Sequence, residues 1–513
     1  MKNVNQLKAG ALLSYVNLGL GCIIPLLYTP IMLRMLGQSE YGLYSLSNSV
    51  ISYLSMLNFG MGSAVMRYVT KCRAEGDKRS VENIVGLFTI IYSLLAVLVV
   101  AVGLFLTAFA DTFFSKGLTS DEISRLRILL VLMTLSTAVS FPVSVFSSVA
   151  VAYEKYVFRR LIDIAGTILT PVLNLVALFM GTGSIGMAVV GLFIQLLYTP
   201  IFLVSCSKML NIHPKFGKPK PGLLKEIWGF SAFVFLSMIV DLLYWSTDKV
   251  LIGAMIGSAA VAIYNVGGTF TSMMQNMSSA ISNVFVPRVT MMVVKDASND
   301  EMSELLIRIG RLQYLIISLI LSGYIVFGQI FIHFWSGDAY QDAYWIALLT
   351  MIPLAIPLIQ NIAYNTILAQ KKHQFRAIVY LIIALINIVS TYLVIPYYGI
   401  IGAAVCTGIS FVVGNGIIMN IYYYKVTKLN IPAFWKNIGQ MTIVPAIMVI
   451  AGYWIVNCYI SVTGIMRFLI EVIVYIAIFC GLSWGITMNR YEKNLFIDLV
   501  KKVLRIRNKE NLG

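Results

Sequence analysis

The stretch Ile84-Val-Gly-Leu-Phe-Thr-Ile-Ile-Tyr-Ser-Leu-Leu-Ala-Val-Leu-Val-Val-Ala-Val-Gly-Leu-Phe-Leu-Thr-Ala-Phe-Ala110 contains no charged residue, and its reading decides the fold. An α-helix needs about 20 predominantly apolar residues to cross a hydrocarbon core of about 30 Å. This stretch supplies them between charged flanks that run from Arg73 to Glu82 and from Asp111 to Lys116. Similar runs recur on both sides of it. Spans are predicted near residues 10–34, 41–66, 84–110, 128–152, 160–180, 184–206, 228–254, 260–286, 310–334, 343–368, 377–396, 399–423, 438–459 and 464–488. The fold class predicted is an all-α integral membrane protein with about 14 transmembrane helices.

Lys and Arg test this division, because loops facing the cytoplasm are enriched in them. Alternate gaps, beginning with Lys2 and Lys8 and ending with Arg490 to Lys509, hold 32 of the 38 basic residues. Both termini are therefore predicted on the cytoplasmic side. A composition of 59% hydrophobic and 12% charged residues, with mean hydropathy +0.84, describes a chain dissolved mostly in lipid. The net charge of +16 is spread over loops that would face an anionic leaflet, so membrane lipids and not nucleic acid are the expected surroundings. The first apolar run carries Pro25 and Pro30 and no small-residue cleavage site, which suits a retained helix. Six cysteines are scattered singly, and the three histidines His213, His333 and His373 fall in loops or at a span end. Neither pattern suits a metal centre or an acid-base pair, and no phosphate-binding P-loop is present. No enzyme activity, metal or cofactor is expected.

The chain repeats itself. Met35-Leu-Gly-Gln-Ser-Glu-Tyr-Gly-Leu-Tyr44 aligns with Met255-Ile-Gly-Ser-Ala-Ala-Val-Ala-Ile-Tyr264, Pro142 with Pro357, and Gly183-Ser-Ile-Gly-Met-Ala188 with Gly399-Ile-Ile-Gly-Ala-Ala404. The order and near-constant offset predict two six-helix bundles as a pseudo-two-fold repeat in parallel orientation. The expected domains are 1–210, a cytoplasmic linker 211–224, a second bundle 225–428, two additional helices within 429–488, and a basic amphipathic tail 489–513 suited to lie on the leaflet surface.

An ionisable group inside a span is costly and therefore a functional candidate. Asp241, Tyr244, Trp245 and Asp248 follow helical spacing in the seventh span, with Lys249 beside them. Asp241, near the middle of that span, and Asp248 are the candidate ion-coupling groups. Polar stripes run along the second span (Tyr41, Ser45, Asn48, Ser52, Ser55, Gly62) and the eighth (Asn265, Thr269, Ser272, Gln275, Asn276, Ser279, Ser282). Such stripes serve close helix packing or line a polar cavity. Asn48, Ser52, Tyr244, Trp245, Lys249, Gln275 and Asn276 are the cavity candidates that follow. Arg67 and Arg288 close the second and eighth spans at the basic side, where guanidinium groups suit a pyrophosphate. Arg34, at the opposite side, departs from the charge rule and is a further anion candidate.

Leu36-Gly-Gln-Ser-Glu-Tyr-Gly-Leu-Tyr44, Asn58-Phe-Gly-Met-Gly62, Arg67-Tyr-Val69, Asp248-Lys-Val-Leu-Ile-Gly253, Phe285-Val-Pro-Arg288 and Tyr398-Gly-Ile-Ile-Gly-Ala-Ala404 together resemble the Wzx-type polysaccharide flippases of the multidrug/oligosaccharidyl-lipid/polysaccharide exporter superfamily. The resemblance covers essentially the whole chain. It implies two six-helix bundles in a V shape in the bacterial cytoplasmic (inner) membrane. It further implies alternating access and transfer of an undecaprenyl-pyrophosphate-linked oligosaccharide to the outer leaflet, coupled to an H⁺ or Na⁺ gradient. Polysaccharide polymerase machinery is an implied partner. The midmembrane spans here are poor in Lys and Arg, which departs from the cationic cavity of that family and shifts recognition to the polar stripes. Two alternatives stay open: a cation-coupled multidrug antiporter of the same superfamily, and a polysaccharide polymerase or ligase. The first should carry acidic residues in the first bundle's spans, where only Asp163 occurs, and the second a large external loop, whereas the longest is 111–124.

Overall fold

A computed structural model describes residues 6–217, 222–372, 374–459, 464–498 and 501. Its helices are α1 (Gln6–Ser55), α2 (Met61–Ala74), α3 (Lys78–Ala108), α4 (Ala110–Phe114), α5 (Ser120–Ala152), α6 (Tyr156–Phe179), α7 (Gly183–Val204), α8 (Leu223–Trp245) and α9 (Thr247–Met255). They continue as α10 (Ser258–Val294), α11 (Asn299–Trp335), α12 (Ala343–Ile359), α13 (Asn361–Ala369), α14 (Gln374–Phe411), α15 (Asn420–Lys425), α16 (Ile431–Met441), α17 (Ile443–Tyr459) and α18 (Ile465–Leu482). No strand occurs among the described residues.

Twelve helical runs are long and apolar enough to cross a membrane. Two of them, Ala9–Ala74 and Gln374–Lys425, hold two limbs each, joined at glycines outside helical geometry: Gly37 (φ 74, ψ 173) and Gly399 (φ 57, ψ −143). Counted by limb, the described residues hold 14 apolar helical segments, the number of spans that the hydropathy predicts. Only glycine adopts such backbone angles without strain. The aligned partners in the sequence repeat, Gly257 (φ 135) and Gly183 (φ 60), also have positive φ. The repeated motifs thus mark repeated bends.

By contacts the chain divides into two compact units, Met1–Gly267 with Ala377–Thr407 and Gly268–Arg376 with Gly408–Gly513. The chain passes between them within α10 and within α14. In the first unit α5 packs against α3 and α7, α1 against α6 and α5, and α9 against α1. Short polar closures hold its loops. A capping box between Thr119 and Glu122 starts α5, and Glu40 accepts from the backbone N–H of Ser184 at 2.8 Å, placing a carboxylate at the start of α7. Within the 211–224 segment, Lys215 pairs with buried Glu82 of α3 at 2.6 Å, while residues 218–221 lie outside the described residues.

The second unit is organised around α11, which packs against α12, α13, α16, α17 and α18. Val326, Phe327, Val444, Met448, Phe468, Tyr475 and Phe479 form an apolar core that ties the two C-terminal spans to it. At the basic end Arg311, on α11, makes a buried ion pair with Glu492 at 2.6 Å and donates to the Thr487 carbonyl at 2.7 Å. Residues 490–498 are helical and start on Asn489, whose side chain accepts from the Glu492 N–H at 2.9 Å. The rest of the predicted amphipathic tail, apart from Lys501, lies outside the described residues, as does His373.

Two spans are less regular than predicted. The second is interrupted after Ser55 by a turn in which Phe59 (φ 50) and Gly60 (φ 63) are left-handed and Asn58 Oδ1 accepts from the Gly60 N–H at 2.7 Å. Phe59 fills the bend against Trp228 and Phe235 of α8. The seventh is interrupted at Ser246, between α8 and α9.

Candidate functional site

The two acidic residues of the seventh span stand on either side of the turn at Ser246, Asp241 on α8 and Asp248 on α9. Thr247 begins a new helix, so Asp248 stands in its first turn, where a carboxylate is favoured by the helix dipole. Of the four residues expected on one face, Tyr244 and Asp248 are buried, Trp245 is partly buried and Asp241 is exposed. Asp248 is 3% exposed, whereas Asp241 is exposed on α8.

Asp248 is surrounded by neutral polar groups. The Tyr264 hydroxyl donates to its Oδ2 at 2.5 Å and the Thr407 hydroxyl at 2.7 Å. Asn387 donates to Thr407 Oγ1 at 3.2 Å, and Thr391, one turn further along the same limb of α14, reaches Asn387 Oδ1 at 3.5 Å. Asn387, Thr391 and Thr407 are all buried. The bend at Gly399 lies between Thr391 and Thr407, so the two limbs of α14 contribute to one cluster. Among the described residues no Lys or Arg nitrogen lies within 4.0 Å of the Asp248 carboxylate.

The neighbouring Lys249 turns to a second chain of contacts. Its ammonium donates to Asn265 Oδ1 at 2.6 Å, and Asn265 donates through Nδ2 to the Tyr41 hydroxyl at 2.6 Å. The residues around Tyr41 explain the motif at the bend of α1. Ser39 donates to Glu122 at 2.5 Å, Glu40 caps α7, and Gly42 lies so close to the Ser258 backbone that a Cβ would collide with its carbonyl. α1, α9, α10 and α14 therefore meet through side chains, with a carboxylate and an ammonium on successive residues bound into separate networks.

A buried carboxylate that makes no direct ion pair, with its nearest ammonium, Lys249, turned to Asn265, is expensive unless protonated or joined by a cation. Hydroxyl and amide oxygens around one carboxylate suit a hard monovalent cation or a proton better than a soft metal. No group of three or more His, Cys, Asp or Glu side chains capable of holding a metal ion occurs among the described residues.

The other candidates are dispersed. Tyr244 is buried with its ring 6.2 Å from Tyr380, and Trp245 is partly buried at the end of α8. Asn48 is exposed and bonds back to the Tyr44 carbonyl at 2.9 Å; Ser52 bonds back to the Asn48 carbonyl at 2.8 Å. Arg34, Arg67, Asn276 and Arg288 are exposed, and Gln275 is partly buried. The stripe of the second span does not continue as one face to Gly62, because the turn at 56–60 resets the helix. Sequence reasoning missed Tyr264, Asn387, Thr391 and Thr407. The available signal was Asn387 and Thr391 four residues apart in an otherwise apolar stretch.

Bent apolar helices around a buried ionisable cluster define an all-helical, multi-pass membrane protein. A family profile described as polysaccharide biosynthesis protein matches residues 7–293, and the chain belongs to that family. The fold is shared with the lipid II flippase MurJ in an inward closed conformation, at TM-score 0.69 and 15% identity over 93% of this chain and 98% of that one. It is shared also with an inward-facing multidrug resistance MATE family transporter of the MOP superfamily, at TM-score 0.65 and 14% identity over 80% and 95%. A MOP superfamily transporter from Pyrococcus furiosus, whose binding pocket has reverse polarity, gives TM-score 0.57 at 15% identity over 83% and 96%. A search of curated protein sequences finds no match.

Proposed function

We propose that the protein is a flippase that carries an undecaprenyl-pyrophosphate-linked oligosaccharide from the inner to the outer leaflet of the bacterial cytoplasmic membrane by alternating access, with both termini in the cytoplasm. The observation that carries this reading is the polysaccharide biosynthesis family match over residues 7–293, on a fold shared with a lipid flippase. The cargo would pass to the polysaccharide polymerase machinery. Arg34, Arg67, Asn48, Ser52, Gln275 and Asn276 are proposed as cargo contacts, on the chemistry of pyrophosphate and sugar recognition.

Coupling to an H⁺ or Na⁺ gradient is proposed to reside at Asp248 with Tyr264, Thr407 and Asn387. Its support is burial beside neutral oxygen ligands only. Asp241, exposed on α8, is proposed as a secondary acidic group. The test of the function is the sidedness of lipid-linked glycan in cells with and without the protein, read with a glycan-specific probe on intact and permeabilised cells.

A second reading, a cation-coupled multidrug antiporter, draws on one observation. A groove of about 670 Å³ in the first unit is lined by Asn17, Asp163, Thr167, Gln195 and Tyr198 together with apolar residues such as Pro171 and Ile194. Its carboxylate, however, is neutralised by Arg159 at 3.0 Å and Arg160 at 3.3 Å. Uptake assays with organic cations separate the two readings.

A further inference from the structure

The turn between α10 and α11, at residues 295–298, borders a cavity of about 540 Å³, large enough for a small ligand or a lipid headgroup. Arg288, Lys295 and Arg308 line it, with Glu301 and Glu304 and an apolar wall that includes Met292 and Leu305. The two carboxylates are already engaged. Glu301 accepts from the Ser298 N–H at 3.0 Å in the capping box that starts α11, and Glu304 pairs with Arg308 at 2.5 Å. Arg308 is further held with its guanidinium carbon 4.4 Å over the ring of Tyr491. Arg288 and Lys295 are exposed, and among the described residues neither has a carboxylate within 4.0 Å. Three Lys and Arg side chains against two Glu leave the lining cationic by one charge, with Arg288 and Lys295 outside any ion pair among the described residues.

The position of the cavity along the helices points to its ligand. α10 has 37 residues and is about 55 Å long at 1.5 Å per residue, well beyond a hydrocarbon core of about 30 Å. The helix is therefore longer than the core is thick, and the end that carries Arg288 and Lys295 suits the headgroup region. Met291 and Val294 on its last turns are 57% and 77% exposed, beside the two cations. Apolar side chains next to Lys and Arg suit the boundary between headgroups and acyl chains.

We propose that Arg288 and Lys295 bind a phosphate ester at this hairpin, supplied by the headgroup of an anionic phospholipid in the adjoining leaflet. A soluble phosphate ester shares the chemistry and is the competing source. The inference rests on the flippase reading only for placing the hairpin on the cytoplasmic side. Its readout is binding, so it fails separately from transport.

The experiment uses the full-length protein purified in neutral detergent and equilibrated with equal amounts of phosphatidylglycerol and phosphatidylcholine. Bound lipids are counted by native mass spectrometry. The wild type retains phosphatidylglycerol over phosphatidylcholine, and Arg288→Gln/Lys295→Gln lowers that retention roughly tenfold. Lys371→Gln/Lys372→Gln, in another basic loop, leaves it unchanged. Retention by the first double variant equal to wild type, or equal loss in both double variants, overturns the site. Displacement of the lipid by millimolar glycerol 1-phosphate overturns the lipid assignment and makes a soluble ester the ligand, whereas persistence of the lipid supports it.

Discussion

Asp248 is a buried carboxylate held by the hydroxyls of Tyr264 and Thr407. Its partners Tyr264 and Thr407 are neutral residues of kinds common in helix packing, and Thr407 lies 159 residues away in the chain. Depth along the span from Trp228 favours Asp241, which lies on the uninterrupted helix α8, but depth does not report that its side chain is exposed. If Asp248 binds the coupling ion, Asp248→Asn should abolish the ion dependence of transport in proteoliposomes. Thr407→Val, which removes one hydrogen bond to the carboxylate, should weaken it by roughly 10- to 100-fold. Asp241→Asn should have the smaller effect of the two carboxylate substitutions. Equal ion dependence in wild type and Asp248→Asn would exclude the cluster from coupling.

Element boundaries were more legible where glycine has a backbone role than where a polar turn interrupts a helix. Gly37 and Gly399 stand in motifs that repeat along the chain, and both adopt angles that other residues reach only with strain. The turn at Asn58 to Gly60 carries no hydropathy signal, because Phe59 is itself apolar. Gly399→Ala should cost about 1–3 kcal/mol of local strain and lower the thermal unfolding temperature in detergent by several degrees. Gly191→Ala, inside α7 with open space around the added Cβ, should not lower it and should raise it slightly. The C-terminal helix at 490–498 makes a different prediction. Removing one partner of the buried Arg311–Glu492 pair, as in Glu492→Gln, should destabilise the second unit by about 3–5 kcal/mol. An apolar pair, Arg311→Met/Glu492→Leu, should cost less than either single change if charge burial is the cause; thermal unfolding of the three variants decides it.

For the whole molecule, the number of crossings and the all-helical class followed from hydropathy alone, because a bilayer admits few architectures. The division into two contact-defined units is a different matter. It depends on where α10 and α14 pass from one unit to the other, which no local pattern announces. The family was legible only through the order of its motifs, since each motif alone is short and weakly specific. The measurement that bears most directly on the account is the leaflet distribution of undecaprenyl-linked oligosaccharide in cells lacking the protein, complemented with wild type or with Asp248→Asn. Accumulation on the inner leaflet without the protein, relieved by wild type and not by Asp248→Asn, is the expected result. An unchanged distribution in the absence of the protein, in a strain without a redundant transporter, would contradict it.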